Sequence, residues 1–138
     1  MAVTDAGRDA APKPARWWLR EAARARRLHA RYNPAADELV VRFARGIGPV
    51  VTVAIQTRDR DYAHLLMDDA TGEVVGIQID NLLASAVRLH PGWRLLAWPD
   101  EAERGGGLYP FLTDVAKLHE GHGTSADDLD RRDERKGA

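Results

Sequence analysis

The 138-residue sequence contains no cysteine. This absence excludes disulfides, thiolate metal sites and a cysteine nucleophile, and it fits a reducing compartment. Long apolar runs are also missing, since no stretch approaches the ~20 residues that a membrane-spanning helix needs. Residues 1–14 lack the apolar stretch of a signal peptide. We therefore expect a cytoplasmic protein with no membrane partner.

An excess of one charge sign is absent from the chain as a whole, which has a net charge of −1. The distribution is nevertheless uneven. Residues 1–31 contain eight basic and three acidic side chains, a net of +5, so the remaining residues sum to −6. A basic segment followed by an acidic body can attract polyanions or pair with an acidic surface.

The length predicts one domain with a modest core. The first 14 residues of the chain are small, polar and proline-containing, a composition that predicts a disordered tail. Residues 15–122 form the expected single α+β domain, with residues 28–89 as a β-rich core module. The alternating charges of residues 123–138 predict a flexible tail.

Ala15–Ala25 is rich in Ala and Arg, free of Gly and Pro, and predicts a helix. Arginines at helical spacing can follow a phosphate backbone while a tryptophan stacks on bases. The alternative is a solvated arginine face whose tryptophans pack on the sheet or on a second subunit. The candidate nucleic-acid or partner contacts are Arg16, Trp17, Arg20, Arg24 and Arg27.

The period then changes from helical to alternating, which is typical of half-buried strands. Asn33-Pro34 favours a turn between the first two strands. The predicted hairpin pairs Tyr32 with Leu39, Ala30 with Val41, and Leu28 with Phe43, so inward residues meet inward residues.

Three more strands follow, over Val50–Thr57, Tyr62–Met67 and Glu73–Ile79. The third strand is expected to place Val51, Val53 and Ile55 on its core face. Together with the first hairpin, these strands predict a curled antiparallel β-meander of about five strands.

The turn between strands four and five leaves two registers open. One sets His64 opposite Ile77. The other adds a bulge at Gly72 and sets Leu65 opposite Ile77, with Met67 opposite Val75. The second is preferred because it keeps His64 out of the core.

Helical spacing predicts a helix over Asp80–His90, with Asp80 or Asn81 as its cap. A short extended piece over Arg94–Trp98, a glycine-rich linker over Asp100–Gly107 and a short helix over Pro110–His119 are expected next. The C-terminal third is rich in aromatics, which either close the core or form a protein interface. The candidate interface residues are Trp93, Trp98, Tyr109 and Phe111.

No pattern of residues indicates catalysis, a cofactor or a metal. His119-Glu120-Gly121-His122 is one residue short of the zinc-protease spacing. The loop aspartates Asp59, Asp61, Asp68 and Asp69 match the demands of tight turns. His64 is the candidate general base of a small hydrolase if a carboxylate and a nucleophile converge on it.

Two turn-and-strand segments, Tyr32–Asp37 (YNPAAD) and Gly72–Ile79 (GEVVGIQI), are the most specific motifs. With them, residues 28–89 resemble a small bacterial family, domain of unknown function 2283. Asn33 departs from the family pattern, which has Asp there. The resemblance implies a curled antiparallel sheet with a helix packed on it. It also implies a partner-binding or antitoxin-like role, because some relatives lie beside small toxin-like genes.

The sequence therefore predicts a non-catalytic module that binds a small protein partner or itself as a homo-oligomer. The alternative is a nucleic-acid-binding protein that uses the arginine-rich helix. A second alternative is a small hydrolase that uses His64.

Overall fold

The structure, a computed structural model, describes residues 11–25, 28–55 and 62–123. It has the expected α+β class, with five antiparallel strands and helices on both sides of them in sequence. The elements are α1 (Ala15–Arg24), β1 (His29–Asn33), β2 (Glu38–Arg42), β3 (Val50–Ile55), β4 (Ala63–Asp68), β5 (Val74–Asp80), a π-helical segment (Leu82–Ala86) continued by α2 (Val87–Leu89), a 3₁₀ helix (Pro91–Ala97), α3 (Pro99–Arg104) and α4 (Leu108–Gly123).

Most of the two predicted tails, residues 1–10 and 124–138, lies outside the described residues. Residues 11–14 are described and have no regular secondary structure. The Lys13 N–H nevertheless donates to the Gly72 carbonyl, 3.0 Å away. The residues just before α1 are therefore joined to the β4–β5 turn.

The sheet has the strand order β1-β2-β5-β4-β3, with antiparallel neighbours. This order corrects the expected meander, because β5 lies between β2 and β4 instead of at an edge. Only β3, β4 and β5 follow one another as a meander. Alternation along a strand reports which face is buried and contains no information about which strand lies alongside.

The first hairpin has the predicted register. Tyr32 lies opposite Leu39 and Ala30 opposite Val41. Leu39 and Val41 are fully buried. The alternation of inward and outward side chains was thus sufficient to set this pairing.

The β4–β5 pairing confirms Leu65 opposite Ile77, with Gly72 in the left-handed conformation at a φ of 76°. His64 lies opposite Gln78, outside the core. Met67 faces Val74 and not the predicted Val75, because the register shifts between Leu66 and Met67.

The segment after β5 is more helical than predicted. The expected extended piece over Arg94–Trp98 is wrong, because the 3₁₀ helix runs through Ala97. The expected linker over Asp100–Gly107 is also wrong in its first half, where α3 forms. Pro91 and Pro99 each stand in the first turn of a helix, where a missing N–H is not needed. The final helix is confirmed and is longer than expected.

One face of the sheet holds the core. Inward residues of β2, β4 and β5 pack there against α1, the 3₁₀ helix and α4. The opposite, outer face is exposed at its two edge strands and half-buried in the middle. Surfaces available to a partner are therefore the outer face, the sheet edges and the outward sides of the helices.

Candidate partner-binding surfaces

Helix α1 places its arginines on the solvent side. Arg16, Arg20 and Arg24 are exposed, and none forms a salt bridge with another of the described residues. Arg27, the fifth predicted contact, lies outside the described residues. The three described arginines form one basic face, which we call the α1 basic face.

The two tryptophans of α1 have opposite environments. Trp18 is 1% exposed and stacks on Phe43, whereas Trp17 is 50% exposed. Two cations lie near the Trp17 ring, Lys13 Nζ at 5.6 Å and the Arg20 guanidinium at 5.9 Å from its centroid. Cations at this range are attracted by the ring's quadrupole. An exposed indole between two cations therefore accompanies the α1 basic face.

The predicted aromatic interface divides into a buried and an exposed pair. Trp93 and Phe111 are each 2% exposed and meet edge to face, with ring centroids 5.0 Å apart. The Trp93 indole N–H also donates to the Asp114 carboxylate at 3.1 Å. These two rings belong to the core. Trp98 and Tyr109 remain 54% and 43% exposed.

His90 connects this region to the sheet. Its Nε2 lies 2.7 Å from the Tyr62 hydroxyl, and its ring stacks on Trp93 with centroids 4.0 Å apart. Burial lowers the pKa of His90, although the negative charge of Asp114 acts in the opposite direction. His90, Trp93 and Asp114 are among the residues that line a cavity of about 440 Å³ between the 3₁₀ helix and α4.

Several large apolar side chains around this region face solvent. Leu89 ends α2 and lines the same cavity, while Leu95 and Trp98 lie three residues apart. All are at least 43% exposed. We call Leu89, Leu95, Trp98 and Tyr109 the C-terminal apolar surface.

Asp37 ties the first hairpin to the helix after β5. Its two carboxylate oxygens accept the N–H groups of Leu83 at 2.9 Å and Ala84 at 3.0 Å. The predicted caps form no such bond, since Asn81 makes no side-chain capping contact. Asp37 thus caps a helix that begins more than 40 residues later in the chain.

Tyr32 completes this arrangement by donating its hydroxyl to Asp37 at 2.6 Å. Burial, this hydrogen bond and the nearby negative charge together raise the pKa of Tyr32 to about 12. Burial acts to raise the pKa of Asp37, but the hydrogen bonds from Tyr32, Leu83 and Ala84 prevail and lower it.

Asp68 is the only buried charged side chain in the described segments. One carboxylate oxygen accepts the N–H groups of Ile47 and Gly48, the latter at 2.9 Å. The other accepts from Ala70 at 2.8 Å and Thr71 at 3.2 Å. The hydrogen bond from Gly48 is the largest cause of a lowered Asp68 pKa. Asp68 therefore joins two loops, which agrees with its interpretation as a turn residue.

His64 has an acidic neighbour, as the hydrolase hypothesis requires. Its Nδ1 lies 3.5 Å from Asp80, whose other oxygen accepts from Gln78 at 3.0 Å. The Nδ1 atom is buried without a hydrogen bond. No hydroxyl in the described segments hydrogen-bonds to His64, so the pair has no positioned nucleophile.

The side chain of His122 lies outside the described part of the chain, so of the two histidines in the His119-Glu120-Gly121-His122 stretch only His119 is described. His119 accepts the Trp18 indole N–H at 3.1 Å. Across residues 11–25, 28–55 and 62–123, no group of three His, Asp or Glu residues is placed to hold an ion. None of the helices in these segments is both long and apolar enough to cross a bilayer.

The sequence reasoning missed the structural roles of Asp37, His90 and His119. Each acts on a residue at least 28 positions away, so local pattern contains no signal for it. The turn-forming Asn33-Pro34 did indicate a constrained loop before Asp37. It did not indicate what the carboxylate binds.

Comparison with known proteins adds no relative to these geometric findings. No protein-family model matches the chain, no curated protein matches it, and no solved structure matches it. The resemblance to domain of unknown function 2283 stays a prediction.

Proposed function

We propose that this chain is a non-catalytic module that binds other protein chains through the C-terminal apolar surface. The supporting observation is the exposure of Trp98 at 54%, with Tyr109, Leu89 and Leu95 each at 43% or more. Tryptophan and tyrosine are the residues most often found at the energetic centres of protein interfaces. Apolar groups exposed together typically mark interaction sites.

The rigidity of the underlying core favours this use of the surface. Trp93 and Phe111 are buried residues of the same 3₁₀ helix and α4 that expose Leu95 and Tyr109, and His90 and Asp114 hold Trp93 by stacking and hydrogen bonding. Side chains on such a support lose less conformational freedom on binding, so more of the contact energy appears as affinity.

Light scattering coupled to size exclusion tests this proposal on the full chain. We expect a species heavier than the 15.3 kDa monomer, either an oligomer or a complex with a co-purifying protein. Trp98→Glu and Tyr109→Glu should weaken that association, because each places a charge in a desolvated contact. Leu83→Glu is the matched control, since Leu83 is 41% exposed outside this surface.

A clean monomer with no co-purifying protein would count against the proposal. Association of unchanged strength in both glutamate variants would also reject the C-terminal apolar surface as a contributing site.

A second candidate function is single-stranded nucleic-acid binding by the α1 basic face. The observation that favours it is Trp17, half-exposed beside Arg20 and Lys13. An exposed aromatic ring within a basic stripe is the usual means of stacking unpaired bases while neutralising phosphates. Glu21 is exposed on the same helix and Glu73 lies 4.0 Å from Lys13, so the positive potential is partly offset.

Fluorescence anisotropy with a labelled single-stranded oligonucleotide tests this second candidate. Three phosphate contacts predict a loss of affinity of about 20-fold between 50 and 200 mM salt. Trp17→Ala and Arg20→Glu should weaken binding, while Lys117→Glu, an equal charge change at an exposed position of α4, should not. Absence of binding at low salt, or equal effects of the two charge reversals, would reject this candidate.

A further inference from the structure

Among the strands that the structure describes, β3 forms one edge of the sheet and pairs only with β4. Its six residues, Val50–Ile55, include no charge, proline or glycine. Natural proteins usually protect such an edge with lysines, prolines, bulges or a covering segment, because it offers unpaired backbone groups to another strand. Each edge strand contacts one helix, β1 contacting α3 and β3 contacting α4, but β1 also contains Arg31 and His29.

The hydrogen-bond pattern shows which groups of β3 face outward. The Asp69 N–H donates to the Pro49 carbonyl at 2.9 Å, so residue 49 points toward β4. Successive residues of a strand direct their N–H and C=O groups to opposite sides. Val51, Val53 and Ile55 therefore bond to β4, and the groups of Val50, Thr52 and Ala54 point away from the sheet.

These outward groups have no partner among the residues that the structure describes. The side chains of Val50, Thr52 and Ala54 are also exposed, on the outer face. Nothing in residues 11–25, 28–55 or 62–123 shields this edge by a hydrogen bond. It is a complete row of donors and acceptors on a strand of high β-propensity.

We propose that β3 pairs antiparallel with β3 of a second copy of this chain, forming a continuous ten-stranded sheet. This surface shares no residue with the C-terminal apolar surface. A two-fold axis at Thr52 sets Thr52 opposite its own copy and Val50 opposite Ala54. All three outward N–H groups of each copy then meet the three outward carbonyls of the other.

The strand is self-complementary in hydrogen bonding and contains no charge that would oppose the pairing. No like charges meet across the two-fold axis, since residues 50–55 are uncharged. Threonine opposite threonine is a favourable cross-strand pair. If the axis moves by one residue, to 51 or 53, only two of the three outward residues of each copy still find a partner within Val50–Ala54 of the other. The chemistry of the edge thus selects a second copy in one register.

A charge-swap experiment tests both the surface and the register. Thr52→Lys and Thr52→Glu should each weaken the dimer by about fivefold or more, because like charges then lie directly opposite each other. An equimolar mixture of the two variants should form a heterodimer, since lysine then faces glutamate. Sedimentation velocity over a concentration series measures all three samples. Ala36→Lys, an exposed turn position, is the control.

Amide hydrogen exchange gives a second measurement that needs no variant. The N–H groups of Val50, Thr52 and Ala54 should be slow to exchange at high protein concentration and fast at low concentration. Those of Val51 and Val53, bonded to β4, should be slow at both.

Three results would overturn the proposal. The first is a wild-type chain that is monomeric at all concentrations. The second is fast exchange of the outward β3 N–H groups at high protein concentration. The third is a mixture of the two Thr52 variants that associates no more tightly than either variant alone. If the Thr52 variants remain fully associated, the edge is excluded while the C-terminal apolar surface is left as the site. The failures of the two proposals are therefore distinguishable.

Discussion

At the residue scale, the two aspartates that the sequence assigns to turns also hold distant backbone in place. Asp68 joins the β4–β5 turn to the loop before β3, and Asp37 joins the first hairpin to the helix after β5. In both cases an ionised carboxylate accepts backbone N–H groups, a strong class of hydrogen bond. The stability of the fold therefore depends on whether the carboxyl groups of Asp37 and Asp68 are ionised.

The contribution of ionised Asp68 should be measurable from how the stability of the fold changes with pH. Backbone hydrogen bonds, first that from Gly48, lower its pKa in the folded state, so the unfolded chain binds the proton more readily. Its stabilisation is complete above about pH 5 and is lost as pH falls through the folded-state pKa. Asp68→Asn should be less stable at pH 7 and should lose less stability on acidification, as measured by urea unfolding from pH 7 to 3. Asp69→Asn is the neighbouring control, and equal pH slopes for wild type and Asp68→Asn would contradict this assignment.

Tyr32 provides a test of the Asp37 contact at high pH. The phenol should remain protonated through pH 11, because burial and Asp37 raise its pKa to about 12. NMR of the ring carbon bonded to oxygen reports its ionisation directly. Asp37→Asn should lower this pKa by removing the charge. An unchanged Tyr32 titration in that variant would show that Asp37 does not control it.

At the element scale, the sequence predicted every strand, the register of the first hairpin and the left-handed Gly72. These features depend on neighbours within a few residues, which local pattern reports well. The position of β5 between β2 and β4 depends on contacts across the whole sheet, so alternation alone did not give it. The region after His90 was predicted as an extended piece and a glycine-rich linker, although Pro91 and Pro99 each suit the first turn of a helix.

For the candidate surfaces too, local sequence predicted some features and only the folded structure shows the others. Exposure of Arg16, Arg20 and Arg24 followed from their spacing on α1. By contrast, Trp93 and Trp98 belong to one aromatic run, and only the fold shows that the first is buried and the second exposed. Composition identifies an aromatic region, but the packing of the helices around it decides which rings remain available.

Gly76 lies on the central strand β5, where the backbone of β2 passes close to it. A Cβ at this position would lie 2.6 Å from the Val41 carbonyl oxygen, which is backbone and has little room to move. Gly76→Ala should therefore destabilise the fold by about 2 kcal/mol, the usual cost of overpacking a core. Gly92→Ala is the matched control, because a Cβ there meets nothing within 4 Å, and it should change stability by less than about 0.5 kcal/mol. Equal effects in urea unfolding would contradict the strand packing described.

At the scale of the whole molecule, the terminal helices close the core together. Helices α1 and α4 contact each other, and both contribute side chains to the core on the same face of the sheet. Trp18 links α1 to both the sheet and α4. Its ring stacks on Phe43, the residue after β2, with ring centroids 5.7 Å apart, and its indole N–H donates to His119 of α4. The helix that presents the α1 basic face is thus fixed to the rest of the protein by its opposite side.

The two adjacent tryptophans of α1 allow a direct test of this attachment. Trp18→Ala removes a side chain that is 1% exposed, and the cavity should cost about 3–5 kcal/mol in the free energy of unfolding. Trp17→Ala removes the same side chain from a position 50% exposed, and it should change stability by about 0.5 kcal/mol or less. Both variants have the same amino-acid composition, so only the position of the lost tryptophan differs. Urea unfolding, monitored by far-UV circular dichroism, compares their stabilities. A similar loss in both would mean that α1 does not dock through Trp18, and that the position of its basic face relative to the sheet must be different.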